Sequence, residues 1–222
     1  MTVVQSGLRQ FLTPDAASTP SDSAVDAILD AVRQHLGMEI AFAARYVDGR
    51  REFTHIRADM ELPVGPGDGD PIEESFCHHV LHGRLPELIH DASQIPFART
   101  LPITDVLPIG CHMDVPLRLK DGSVYGSFCC LSRTPDHSLT QRDLLTLRAF
   151  ADLASGQIEK DLDKVRSRTA VETRISDAIA GGQPAVVLQP IHSLASGNPI
   201  GVEALARFPG ATPPDRWFAD AA

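Results

Sequence analysis

Two stretches of this 222-residue chain alternate strictly between two kinds of side chain, and each alternation ends near an Asp-Gly pair. In Cys111–Leu119, Cys111, Met113, Val115, Leu117 and Leu119 share one face, while His112, Asp114, Pro116 and Arg118 share the other. In Glu39–Val47, Ile40, Phe42, Ala44 and Tyr46 alternate with Ala41, Ala43 and Arg45. A period of two is a strand signal. Asp48-Gly49 and Asp121-Gly122 then turn these strands into the partners Arg51–Ala58 and Val124–Leu131, because such pairs accept the positive φ of tight hairpin turns. The chain is therefore committed to two hairpins, and the remaining segments must be arranged around them.

Those segments read as follows. Ser21-Asp22-Ser23 offers caps for a helix whose Val25, Ile28, Leu29, Val32 and Leu36 recur at helical spacing before Gly37. Pro63–Pro71 is a Gly/Pro/Asp-rich loop, Glu73–Leu81 a short helix stopped by Gly83, and Leu85–His90 a short strand. Asp91–Pro108 reads as irregular chain with a helical turn. Thr140 caps a long helix through Leu144, Leu147, Ala151, Ala154, Ile158, Leu162 and Val165, resuming at Val171, Ile175 and Ile179 until Gly181-Gly182. Pro184–Ile191 is a continuous apolar run of the kind found in buried strands.

A composition of 43% hydrophobic and 22% charged residues can build a core. The net charge of -9 argues against nucleic acid and anionic membranes as partners, since both select a basic surface. Residues 1–20 contain Ser, Thr, Pro and Asp punctuation and no apolar leader, so a flexible tail and a cytoplasmic location are expected. No stretch is apolar enough to span a bilayer, and four cysteines in such a chain are expected as free thiols.

The order of elements resembles a GAF domain. The match rests on Val115-Pro116-Leu117, Asp121-Gly122 and Tyr125-Gly126-Ser127-Phe128-Cys129, similar to the family's double strand. A second match is Ser75-Phe76-Cys77 leading into Val80-Leu81, with Gly83 and Pro86–Asp91 behind it. The resemblance covers about Ser21–Ala154. It implies an α+β fold with an antiparallel sheet, helices on one side, and a small-molecule pocket on the other. The ligand itself is not selected by any residue set. Cys77, His112, Asp114 and Cys129 are the candidates for the pocket.

Other arrangements of these residues suggest other chemistry. Cys77-His78-His79 with His82 brings together zinc- or iron-type ligands. Neighbours on a short helix diverge, however, so Cys77 reads as a buried thiol with solvent-facing histidines; His79 and His82 are the pair spaced to share an ion. Cys111-His112 resembles the bilin-attachment pair of phytochrome-like GAF domains, but it lies in a strand instead of a helix. Cys77, Cys111 and Cys129 imitate the pocket cysteines of GAF-type free methionine sulfoxide reductases, a redox-enzyme alternative. His55, His90 and His112 are the formal haem ligands. Cys129 and Cys130 point to opposite faces of a strand, which disfavours a disulfide between them.

Residues 183–222 resemble the opening of an EAL domain, the family that hydrolyses cyclic di-GMP. Gln189-Pro190-Ile191 and Gly201-Val202-Glu203-Ala204-Leu205-Ala206-Arg207 carry the match, and Trp217-Phe218 is similar to the helix that follows. By resemblance, Glu203 is a ligand for the activating magnesium or manganese, and Gln189 and Arg207 contact the dinucleotide. The family's remaining metal ligands and its lysine are not found in this stretch, so the chain is expected to be inactive as a phosphodiesterase. The expected organisation is a tail (1–20), a GAF sensory domain (21–155), a signalling helix (156–182) and the EAL segment (183–222). The helical stripe from Thr140 to Val165 further suggests a homodimer, with part of it packed on the domain's own sheet and the later part on a partner; a ligand-free dimerisation module is the third reading of the whole.

Overall fold

The computed structural model describes residues 20–221. The expected tail lies outside them, apart from Pro20. Helix α1 (Pro20–His35) opens one residue before the expected caps; a proline suits a first turn because its missing N–H would be unpaired there anyway. Val25, Leu29, Val32 and Leu36 form its buried stripe, and it packs on strands β1 (Ile40–Val47) and β2 (Arg50–Ala58).

Both hairpins form. β1–β2 is the first, and β5 (Cys111–Arg118) with β6 (Val124–Ser132) is the second. They join through antiparallel pairing of β1 with β6. Two short strands complete a six-stranded sheet in the order β3-β2-β1-β6-β5-β4, with β3 at Gly69–Pro71 and β4 at Leu88–Ile89. The loop reading of Pro63–Pro71 thus misses an edge strand at its end, and the strand expected over Leu85–His90 shrinks to two residues. The segment from Asp91 to Pro108 forms two single 3-10 turns and the short helix α3 (Ile103–Val106).

The expected helix Glu73–Leu81 splits in two. A 3-10 turn at Ile72–Glu74 precedes helix α2 (Phe76–Leu81), and Ser75 separates them. The Ser75 hydroxyl accepts from the His78 N–H at 3.2 Å and donates to the Ile72 carbonyl at 2.7 Å. A serine in this position competes with the helix backbone for its own hydrogen bonds, so a continuous helix gives way to a capped start.

Helix α4 runs over Gln141–Ala180. At its start the Asp143 carboxylate accepts from the Thr140 N–H (2.8 Å) and hydroxyl (2.7 Å). At its end Gly182 adopts a φ of 72° and bonds to the Ile179 carbonyl. Leu144, Leu147, Ala151, Ala154 and Ile158 are buried, whereas Val165 and Ile179 are exposed.

The chain divides into two compact units, one ending at Lys160 and the other starting at Asp161. The second contains strands β7 (Ala185–His192) and β8 (Pro199–Arg207), paired antiparallel, and helix α5 (Pro214–Ala221). Trp217 is buried there, stacked on Phe208 at 4.8 Å with Arg174 4.7 Å above its ring. The expectation that Pro184–Ile191 is a buried strand is overturned. Val186, Val187, Leu188 and Ile191 are all exposed, because β7 has one neighbour and no described element covers its faces. No described helix is long and apolar enough to cross a membrane.

Candidate functional site

The register sorts the main sheet into two chemically different faces. One carries Ala41, Ala43, Cys111, Met113, Val115, Leu117, Phe128 and Cys130, each at most 1% exposed. The other carries Ile40, Phe42 and Ala44 from β1, His112 and Asp114 from β5, and Ser127, Cys129 and Leu131 from β6. Helix α2 lies over this second face, where Cys77 joins the cluster of Phe42, Phe53 and Cys129, and Phe76 packs against the His112 ring at 5.1 Å.

A bulge in β2 decides what else faces this side. Ala43 pairs with His55 but Ala44 pairs with Phe53, so Thr54 is left over, its hydroxyl donating to the Ala43 carbonyl at 3.0 Å. Upstream and downstream of a bulge, alternation changes phase. Ile56 faces the second side opposite Phe42, and the phase change brings Phe53 and Arg51 to that same side. Strict alternation would have put them on the other one.

Arg51 is the electrostatic centre of the site and is only 4% exposed. Its Nε donates to Asp70 Oδ1 at 3.0 Å and its Nη2 to Asp70 Oδ2, a forked pair supplied by the edge strand β3. Nη1 donates to Cys77 Sγ at 3.4 Å. The guanidinium carbon lies 4.7 Å from the Phe53 ring centre and 5.4 Å from that of Phe42. Beyond it, Cys129 Sγ and His112 Nε2 are 3.2 Å apart. Asp114 is 2% exposed, and its Oδ1 reaches no hydrogen-bond partner among the described residues.

These groups set each other's protonation. Burial opposes a charged Cys77, but hydrogen bonding with Cys129, the Arg51 charge and His112 outweigh it and hold this thiol well below the usual range. Burial first, and then the neighbouring Cys77, push the Asp114 carboxyl well above its ordinary value. Burial likewise raises Cys129, with Cys77 adding to it. The Arg51 charge thus favours the ionised form of Cys77, while burial favours the neutral forms of Cys129 and Asp114.

Above this cluster is a cavity of about 70 Å³ lined by Ile40, Phe42, Phe53, Ile56, Phe76 and Leu131, with Arg51 and His112 its charged or titratable walls. Leu62–Val64 and the Ile103–Ile109 segment form the remaining wall. Drug-sized ligands occupy roughly 300–1,000 Å³, so in this form the cavity admits only a small molecule or a few waters.

Of the sequence candidates, His112 lines the cavity, while Cys77, Asp114 and Cys129 lie buried around it. Cys111 does not belong with them. It is on the opposite face, 3.7 Å from Met38 Sδ, so the three-cysteine set is corrected to two and the Cys111-His112 pair is split between faces. The solvent-facing reading of His79 is corrected as well. It is 4% exposed, with Nε2 2.9 Å from the Glu73 carbonyl oxygen, while His82 turns its Nδ1 to the His78 carbonyl at 2.8 Å. His90 Nε2 lies 2.8 Å from the Leu139 carbonyl, and His55 faces the first side with Ala43. Arg51 and Asp70 were missed in the sequence; the Asp-Pro at the end of the loop is the one available hint.

On the β7–β8 ribbon, Gln189 pairs directly with Glu203, and Arg207, four residues on, shares that face. All three are exposed. The residue opposite Glu203 is an amide, not a second carboxylate, so the groups present do not fit a two-metal site.

A sequence model of the GAF domain family matches residues 21–158. Cyclic di-GMP phosphodiesterase PA2567 of Pseudomonas aeruginosa is 28% identical over 139 residues, 62% of this chain and 23% of that protein's length. Among solved structures, the GAF domain of Acinetobacter phosphoenolpyruvate-protein phosphotransferase superposes with a TM-score of 0.53 at 14% identity, covering 65% of this chain and 85% of that one. The GAF-B domain of DevS from Mycobacterium smegmatis gives 0.51 at 14%, covering 66% and 98%. The type II free methionine-R-sulfoxide reductase of Thermoplasma acidophilum gives 0.50 at 13%, covering 63% and 93%. These likenesses establish an α+β, GAF-like antiparallel sheet flanked by helices.

Proposed function

The chain belongs to the GAF domain family, and on that premise we propose that it is the small-molecule sensory domain of a cyclic di-GMP phosphodiesterase signalling protein, followed by the first segment of an EAL domain. The carrying observation is the cavity on the sheet face beneath Leu62–Val64 and α3, closed by short irregular elements instead of long helices. Such segments open at low cost. The phosphodiesterase relative supports the signalling context, and the Gln189–Glu203–Arg207 face of the ribbon supports the EAL segment.

The lining selects a small, mainly apolar ligand. Arg51 directs the fork of Nε and Nη2 at Asp70 and Nη1 at Cys77, so its two-pronged edge is already occupied by a carboxylate and not open to a phosphate. Binding displaces Val64 and Val106, both exposed, to enlarge the cavity. A ligand that binds only the folded form at about a hundred times its Kd stabilises it by about 2.7 kcal/mol. Thermal melts against small apolar metabolites are the test: a hit raises the melting temperature of the chain but not of Ile56→Trp, which fills the cavity. Equal stabilisation of both proteins would refute the pocket assignment. The 222-residue chain itself is expected not to hydrolyse cyclic di-GMP; metal-dependent turnover abolished by Glu203→Ala would overturn that.

A second reading, a cysteine-dependent redox enzyme, is favoured by the Cys77 thiolate beside Cys129. Its full burial and its absence from the cavity lining weigh against it. Thiol-dependent reduction of free methionine sulfoxide, lost in Cys77→Ser, would establish that reading.

A further inference from the structure

Cys77 Sγ, Cys129 Sγ and one ring nitrogen of His112 all lie within 4.8 Å of one another, and all three residues are buried. They come from α2, β6 and β5, so the cluster is made by tertiary folding and not by local sequence. We propose that they bind one thiophilic divalent ion of the zinc type, with Asp114 as the fourth ligand.

The donor set fits that ion. Thiolate and imidazole together select zinc over the oxygen-seeking magnesium and calcium. Zinc holds sulfur at about 2.3 Å and nitrogen at about 2.0–2.1 Å in a tetrahedron, which places ligand atoms roughly 3.3–3.8 Å apart. Cys129 Sγ and His112 Nε2 already stand 3.2 Å apart.

Asp114 is the independent observation. It pairs across the strands with Cys129 and shares a face with His112, two residues away. Its side chain is buried, and its Oδ1 has no hydrogen-bond partner among the described residues. An unpartnered buried carboxylate oxygen is costly, and an ion at the centre of the cluster satisfies it.

Charge agrees. Two thiolates and the Asp114 carboxylate cannot all ionise in a dry site that has only Arg51 to offset them, and Arg51 is shared with Asp70. A doubly charged ion permits it. Binding of an ion by thiol ligands is accompanied by release of their protons. His112 reaches the cavity, which gives the ion an entry path. The ion would fasten α2 to β5 and β6 directly under that cavity. This inference stands whether or not the chain regulates a phosphodiesterase.

The test is cobalt(II) titration of the reduced, chelator-stripped 222-residue chain. The expected result is one ion per chain, with thiolate-to-cobalt charge-transfer and tetrahedral ligand-field absorption, displaced by zinc. Cys77→Ser and Cys129→Ser lose the charge-transfer band from that sulfur. Asp114→Asn, which keeps shape, weakens binding roughly tenfold or more. Cys130→Ser, altering the thiol next in sequence but on the opposite face, leaves the spectrum intact. Absence of charge transfer in the folded wild type overturns the proposal. So does an unchanged spectrum and affinity in Cys129→Ser and Asp114→Asn, or loss of the site in Cys130→Ser. Circular dichroism of each variant separates loss of ligand from loss of fold.

Discussion

At the scale of single residues, two positions show how little freedom the sheet leaves. A Cβ placed on Gly126 would come within 1.8 Å of the Ala44 carbonyl oxygen and 2.7 Å of its carbon, both backbone atoms of the central strand β1. Nothing there can rotate away, so the β1–β6 pairing must separate. Gly126→Ala is expected to destabilise the domain by about 3 kcal/mol or more, at the upper end for a single substitution, read from a denaturant midpoint. A loss under about 1 kcal/mol would show that β1 and β6 are not apposed this closely. Glu39 makes a contrasting, solvent-edge contribution. It accepts from the Arg133 backbone N–H and Nε, each at 2.9 Å, tying the start of β1 to the end of β6. The Arg133 hydrogen bond is the main reason its carboxyl titrates below the ordinary glutamate range. A lowered folded pKa means stability that is present above the unfolded value, about 4.3, and lost as pH falls through the folded one. The advantage of wild type over Glu39→Gln is therefore expected to be full near neutrality and to vanish on acidification. A difference that grows as pH falls would contradict the pairing.

At the scale of elements, the bulge in β2 is the decisive feature. Thr54 is the extra residue, and it rotates Phe53 and Arg51 onto the face that also carries His112 and Cys129. Deleting Thr54 removes the extra residue and leaves His55 opposite Ala43 and Phe53 opposite Ala44, so Arg51 stays on the pocket face beside Asp70. The deletion is therefore expected to keep a cooperative thermal transition, losing only the local twist that a bulge supplies. Loss of that transition in the deletion variant, with Thr54→Val still folding, would refute this account of the register. The same element shows what was legible beforehand. The two hairpins, the long helix and the pocket-face position of His112 and Cys129 follow from period-two and helical patterns that burial imposes on neighbouring residues. A bulge leaves no such trace, since one added residue looks like ordinary alternation with its phase reversed; this is why Arg51 went unrecognised. The β7 strand failed for the opposite reason. Its apolar run speaks to a strand covered on both faces, and the described chain supplies one neighbour strand and no cover.

At the scale of the whole molecule, the first part of the helical stripe packs within the chain, as expected, and its end at Val165 is exposed. Leu144, Leu147, Ala151, Ala154 and Ile158 are buried in the described structure and so are unavailable to a partner. Leu145 and Leu153, 65% and 62% exposed, lie eight residues apart on α4 with exposed Ala149 midway. Steps of four place these three on one face of the helix. Single exposed leucines are commonplace, but a row with an alanine between permits close approach of a second helix. Burying each leucine contributes about 1.5–3 kcal/mol. We therefore expect a dimer through the Leu145–Leu153 face. Coupling of the cavity to a following catalytic segment would need only about 1–3 kcal/mol of difference between two arrangements of such an interface. Sedimentation of the wild type at tens of micromolar should show a dimer, and Leu145→Asp with Leu153→Asp a folded monomer. Ile158→Asp should instead unfold the domain, since it puts a charge at a site only 6% exposed. If wild type and the double variant sediment as the same species, α4 ends its work inside its own chain, and any regulation must pass through the segment after Lys160 without help from a partner.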